Sequence, residues 1–170
     1  MNSTTAPASK ISDDEMAALI QSTLENNGTM KDIRGLSSAH MEAVYTLAFN
    51  MYDQAKYEDA HGLFTFLGLY DHLEKKYWIG LAACRQMLKH YEAAIDAYSM
   101  AALFDVDNPE IPLHAAECYL ALGNLDGAYS GAFAARHWAE RRSGFDAVRD
   151  RADIILKHIK DKRSSEEAAP

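Results

Sequence analysis

The sequence has little of what several large protein classes require. Its two cysteines, Cys84 and Cys118, cannot build a disulfide framework, and no apolar run in the 170 residues approaches the roughly 18 that a membrane span needs. The segment Met1 to Lys10 is rich in Ser, Thr, Ala and Pro and lacks the apolar stretch of a signal peptide, so the reading is a cytoplasmic protein with reduced thiols. Positive charge is also scarce: 17 Lys and Arg stand against 25 Asp and Glu, a net charge of -8, which argues against direct binding to nucleic acid or an anionic membrane.

Catalytic and metal motifs are missing in the same way. The seven histidines form no His-x3-His or HExxH spacing, there is no Cys-x2-Cys, and neither a phosphate-cradling glycine loop nor a Gly-x-Ser-x-Gly turn occurs. No catalytic residue, metal or cofactor is expected. Cys84 and Cys118 read as small buried residues, not a redox pair.

What the sequence does contain is a period. Shifted by 34 residues it aligns with itself in three blocks, 41–74, 75–108 and 109–142. Tyr57-Glu58-Asp59-Ala60 falls on Tyr91-Glu92-Ala93-Ala94 and on Leu125-Asp126-Gly127-Ala128; small residues coincide at Ala48, Ala82 and Ala116 and at Ala60, Ala94 and Ala128. Large residues coincide at Val44 and Trp78, at Leu47 and Leu81, and at Phe64 and Tyr98. Large, Leu, small, aromatic, then Ala, aromatic, Ala is the tetratricopeptide pattern, from which the second block departs at Arg85 in place of an aromatic and the third at Pro112 and Ala132. In that pattern two antiparallel helices approach over small residues and bury their faces only by stacking on the next pair.

The expected fold is therefore all-α: three tandem tetratricopeptide helix-turn-helix repeats within a single domain, 11–163. Turns are predicted at Gln54-Ala55-Lys56, Leu88-Lys89-His90 and Gly123-Asn124, only the last with a helix-ending glycine, and breaks near Asp71-His72 and at Asp107-Asn108-Pro109. Ser12-Asp13-Asp14-Glu15 reads as a capping box with Ile11 and Met16 as its staple, opening an N-terminal helix over 12–27 with Met16, Leu19, Ile20 and Leu24 on one face. A capping helix is predicted over 144–162, and 1–10 and 164–170 as disordered.

The first helix of each stacked pair lines the concave side. The residues expected there are Glu42, Tyr45, Phe49 and Tyr52, then Lys76, Ile79, Ala83 and Gln86, then Glu110, Leu113, Glu117 and Leu120. Val44, Leu47 and Ala48 supply packing within the first repeat, which leaves Tyr45, Phe49 and Tyr52 as an aromatic floor available to an extended apolar peptide. Carboxylate-clamping tetratricopeptide proteins use Lys and Asn where Tyr45 and Phe49 stand, so an acidic peptide terminus is not the expected ligand.

Three strings are more specific than the repeat: Gly28-Thr29-Met30-Lys31-Asp32-Ile33, Leu67-Gly68-Leu69-Tyr70-Asp71 leading to Ile79-Gly80-Leu81-Ala82-Ala83, and Pro112-Leu113-His114-Ala115-Ala116-Glu117-Cys118. Through them the chain resembles the tetratricopeptide (class II) chaperones of bacterial type III secretion translocators, over roughly 15–140. The resemblance implies a non-enzymatic cytoplasmic chaperone that keeps hydrophobic, membrane-inserting translocators soluble and competent for export. It implies a groove of Tyr45, Phe49 and Tyr52 continued by Ile79, Ala83 and Gln86, and homodimers involving the N-terminal helix. A general tetratricopeptide adaptor, or a co-regulator of a transcription factor, is the alternative. Gly62 and Gly68 depart from relatives, and either let a partner or the N-terminal helix approach closely or soften their helix, at about 1 kcal/mol each against alanine.

Overall fold

The structure, a computed structural model, describes residues 13–26 and 28–167. The Ser12 capping box with Ile11, and the stretch 1–10, lie outside the described residues, as do the side chains of Met16, Leu19 and Leu24. All regular structure among the described residues is helical: α1 Asp13–Glu25, α2 Met30–Ile33, α3 Ser38–Asp53, α4 Tyr57–Tyr70, α5 Lys75–Met87, α6 Tyr91–Phe104, α7 Glu110–Ala121, α8 Leu125–Ala139 and α9 Asp146–Glu167.

Short turns join α3 to α4, α5 to α6 and α7 to α8, giving three antiparallel hairpins, and each helix from α3 to α9 packs on the next. The turns and breaks fall where the 34-residue period puts them. Local chemistry sets the boundaries. Ser37 caps α3, its Oγ accepting from the His40 N–H at 3.2 Å, and Asn124 caps α8 by accepting from the Gly127 N–H at 2.9 Å. The short α2 is held by Asp32, which accepts from the Thr29 N–H at 2.7 Å, and Lys31 pairs with the buried Asp71 at the end of α4.

The small residues of the period explain how closely the hairpins pack. Ala48, Ala82 and Ala116, and Ala60, Ala94 and Ala128, are all 0% exposed. A methyl group at these crossings lets the helices approach, and the volume beside them is filled by Phe64, Tyr98 and Met41. One apolar core spans the first two hairpins and reaches α7; a second joins α7, α8 and α9 through Leu113, Ala132, Ala152, Ile155 and Ile159.

Three placements correct the sequence reading. Leu47, assigned to packing within the first repeat, is 48% exposed, whereas its counterpart Leu81 is buried where α5 packs on α4; among the described residues no hairpin stands before α3, and α1 packs on α2. The capping helix does not stop at 162 but continues to Glu167, so 164–167 of the expected disordered tail are helical. Just before that turn Arg163 pairs with Asp126 at 2.5 Å and lies 5.6 Å over the Tyr129 ring; 168–170 lie outside the described residues. The third correction, at Leu113, belongs to the site.

Gly62 faces open space and a β-carbon on Gly68 would meet the Trp78 ring at an ordinary 3.9 Å, so among the described residues neither is a close approach of the N-terminal helix.

Candidate functional site

Tyr45, Phe49 and Tyr52 of α3 and Ile79 and Ala83 of α5 line one cavity of about 230 Å³, together with Lys76, Gly80 and Phe64. Spacings of three and four residues put the α3 rings on one face, and the α5 residues stand one period later on the adjacent first helix. The rings are not equivalent. Phe49 is 47% exposed, whereas Tyr45 and Tyr52 are half-buried and pack on the core.

Tyr45 is the hub. Its ring meets Phe64 edge-on at 6.0 Å, Tyr77 at 5.9 Å and Phe49 at 6.3 Å, and the Lys76 ammonium sits 4.4 Å from its centroid. Tyr45 therefore supports its own repeat as well as facing the trough, contrary to the expectation that the core does not use it. Lys76 is in turn held by Glu42, one period earlier, at 2.5 Å. Tyr52 rests edge-on against Tyr57 at 5.3 Å. Burial pushes the Tyr77 hydroxyl up to about 12 and raises that of Tyr52, so these rings remain neutral.

Phe64 and Gly80 were not singled out from the sequence as site residues. Phe64 is a core ring by its period, yet one edge of it forms the trough floor. It reaches that position because Gly80 has no side chain in the way. The signal was present in Ile79-Gly80-Leu81, where a glycine interrupts a helix that has no turn to make.

Toward α7 the trough changes character. Gln86 Oε1 accepts a hydrogen bond from the Tyr98 hydroxyl at 2.7 Å, and Nε2 donates to Glu117 at 3.0 Å. The same Glu117 oxygen lies 3.1 Å from His114 Nδ1, and the other, Oε1, lies 2.6 Å from Arg151 of α9. That last contact is one of charge: Oε1 is buried without an aligned hydrogen-bond donor. Burial works against ionisation of Glu117, but His114, Gln86 and Arg151 together hold its carboxyl below the ordinary range.

Leu113 is the third correction. Expected on the trough, it is 3% exposed and sits in the second core, and Leu120 packs against the same cluster. The cause is α9, which packs on α8 and also touches α7, so the inner face of the third repeat is partly covered. Tyr45, Phe49, Tyr52, Ile79 and Ala83 thus share one cavity, Gln86 and Glu117 form a polar bridge beyond it, and Leu113 lies in the core.

The N-terminal face is described only through Ile20, which is 41% exposed. It helps line a second, apolar cavity of about 400 Å³ with Met30, Ile33 and Leu69. Among the described residues no cluster of three or more His, Cys, Asp or Glu is placed to hold a metal, and no helix is long and apolar enough to cross a membrane.

No family model matches the chain. Individual proteins do. Low calcium response locus protein H of Yersinia pestis is 39% identical over 152 residues, which is 89% of this chain and 90% of that protein. Among solved structures, PcrH of Pseudomonas aeruginosa in complex with the chaperone binding region of PopD superposes with a TM-score of 0.74 at 43% identity, covering 76% of this chain and 97% of PcrH. The Yersinia enterocolitica type III secretion chaperone SycD in complex with a peptide of the translocator YopD gives 0.72 at 41%, covering 75% and 98%, and SycD has also been solved as an alternative dimer. With 39% identity running through nine-tenths of a relative, and these structures sharing its stacked helical hairpins, the chain belongs to the family of type III secretion translocator chaperones.

Proposed function

We propose that this protein is a cytoplasmic, non-enzymatic chaperone that binds hydrophobic, membrane-inserting translocators through an extended segment laid in the trough, keeping them soluble until export. The observation that carries this reading is the cavity lined by Tyr45, Phe49, Tyr52, Ile79 and Ala83. It presents half-exposed rings and aliphatic side chains at helical spacing, with one cation, Lys76, already neutralised by Glu42. Such a surface rewards burial of apolar side chains, at about 25 cal/mol per Å² of area removed from water, and offers nothing to a carboxylate terminus. The relatives solved with segments of PopD and YopD support a client of this class.

A segment of this kind needs no nucleotide to bind or leave. An affinity near 1 μM corresponds to about -8 kcal/mol, within reach of a few buried side chains and low enough for an export machine to strip. Gln86 and Glu117 set the polar margin, where a client main-chain N–H can be received.

The test is co-expression with a candidate translocator, comparing the native protein with Phe49→Ala and with Tyr45→Ala/Phe49→Ala/Tyr52→Ala. Loss of client solubility with the triple variant, while circular dichroism still reports a folded chaperone, supports the reading; undiminished solubility overturns it. Phe49→Ala is the sharper probe, because its exposed ring costs the fold little. The N-terminal face of Ile20, with Met16, Leu19 and Leu24 on the same side by spacing, is proposed as a homodimer surface. Ile20→Glu should then shift the mass measured by light scattering toward the monomer.

A further inference from the structure

A second groove lies far along the chain from the trough, between α8 and α9, with a cavity of about 460 Å³. Its floor is apolar and exposed: Tyr129 and Phe133 stack at 6.2 Å and are 44% and 47% exposed. Its walls are basic. Arg136 of α8 and Lys157, Lys160 and Arg163 of α9 line it, and from Lys157 to Arg163 the sequence carries four cations against one carboxylate, on a chain whose net charge is -8. Arg136 is engaged by Asp153 at 3.5 Å and Arg163 by Asp126, while Lys157 and Lys160 have no ion-pair partner among the described residues.

The repeat indicates the shape of what belongs there. Phe133 and Arg136 stand one period of 34 after Ser99 and Ala102, which line a groove among α6, α7 and α8. Tyr129 likewise follows Ile95, which is buried. On α6 Ile95 is buried and Ser99 and Ala102 are small, whereas on α8 two exposed rings, Tyr129 and Phe133, and Arg136 stand in their places. The lining residues recur every three or four positions on both helices, and the α9 wall from Asp153 to Ser164 is roughly 16 Å long at 1.5 Å per residue, about three helical turns.

We infer that the α8–α9 groove docks an amphipathic helix of a partner protein, with an apolar stripe over Tyr129 and Phe133 and acidic residues along its flanks facing Lys157 and Lys160. The charge contrast selects the occupant: a helix flanked by Asp and Glu gains from two ammonium groups without ion-pair partners among the described residues and is steered to a basic lane on an acidic body. This interaction is separate from the trough and leaves the trough free for its own guest.

The experiment uses the full chain and a fluorescein-labelled 14-residue peptide with Leu at i, i+3, i+4, i+7 and Glu at the flanking positions, read by anisotropy. A peptide with Lys in place of Glu, and vesicles of 30% phosphatidylglycerol in phosphatidylcholine, are the competing probes. The Glu peptide should bind, weaken about five-fold between 50 and 300 mM NaCl as screening shortens, and weaken at least about ten-fold with Lys157→Glu/Lys160→Glu. Phe133→Ser should weaken it without changing its salt dependence, and Phe49→Ala should leave it unchanged. No binding, equal binding of the Lys peptide, or indifference to Lys157→Glu/Lys160→Glu overturns the inference. So does tighter association with the vesicles, which would make the lane a membrane contact. Because Phe49→Ala acts only on the trough, failure here is distinguishable from failure there.

Discussion

The ring of Phe64 rests on the backbone of Gly80, so closely that a β-carbon built there would lie 2.2 Å from it. Gly80→Ala must therefore displace a core ring that also floors the trough, and should cost about 1 to 3 kcal/mol by overpacking. Gly62, also inside a helix, has nothing within 4 Å of where its β-carbon would lie, and Gly62→Ala should stabilise by about 0.5 to 1 kcal/mol. Urea denaturation of the two variants checks both signs.

Ala55, Lys89 and Gly123 occupy the same place in successive repeat turns, 34 residues apart, and all adopt left-handed backbone, with φ of 59°, 63° and 74°. Only glycine enters that region without steric cost, which for other residues is about 1 to 2 kcal/mol. Lys89→Gly should thus be stabilising by a few tenths to about 1 kcal/mol despite the added freedom of the unfolded chain, and Gly123→Ala destabilising by a similar amount. Thermal melts compared at equal concentration would show Tm moving in opposite directions; a shift of the same sign in both would sink the argument.

Glu117 gives the fold a specific response to acid. Its carboxyl titrates lower when folded than when unfolded, so its contribution is present above the unfolded value of about 4.3 and fades as pH falls through its lowered folded value. Glu117→Gln cannot ionise and should lose the part of the acid-induced decline that this carboxyl supplies. Stability measured between pH 6 and 3 should fall less steeply for the variant than for the native chain.

Cys84 and Cys118 are both 0% exposed, and burial pushes each thiol up to about 11. At pH 8 only about one thiol in a thousand would be ionised, on top of the steric block. Neither should react with a disulfide reagent in the folded protein, and both should react in 6 M urea; rapid native labelling would contradict the burial.

Much of this architecture could be read in the residues because the period is physical: a methyl is required wherever two helices cross, and Ala48, Ala82 and Ala116 mark those crossings. The same alignment placed Tyr45, Phe49, Tyr52, Ile79 and Ala83 on neighbouring first helices. It failed where the repetition ends. Leu113 has the trough position of Tyr45 and Ile79, but α9 covers it, and where a terminal helix lies is not encoded in the equivalence of repeats. Leu47 fails at the opposite end for the mirror-image reason, having no hairpin stacked before it. The tail 164–167 reads as polar and unstructured, yet the helix continues there beyond Arg163, which meets Asp126 and Tyr129 more than thirty residues away, contacts that composition does not sense.

The bridge from Gln86 through Glu117 to Arg151 makes the trough polar toward α7, while its α3 and α5 side is lined by rings and aliphatic side chains. An extended guest bound there as proposed would meet the two ends unequally. Its apolar side chains would leave one at a time, so detachment would be a peeling whose successive barriers are each that of a single contact and not the sum of all of them.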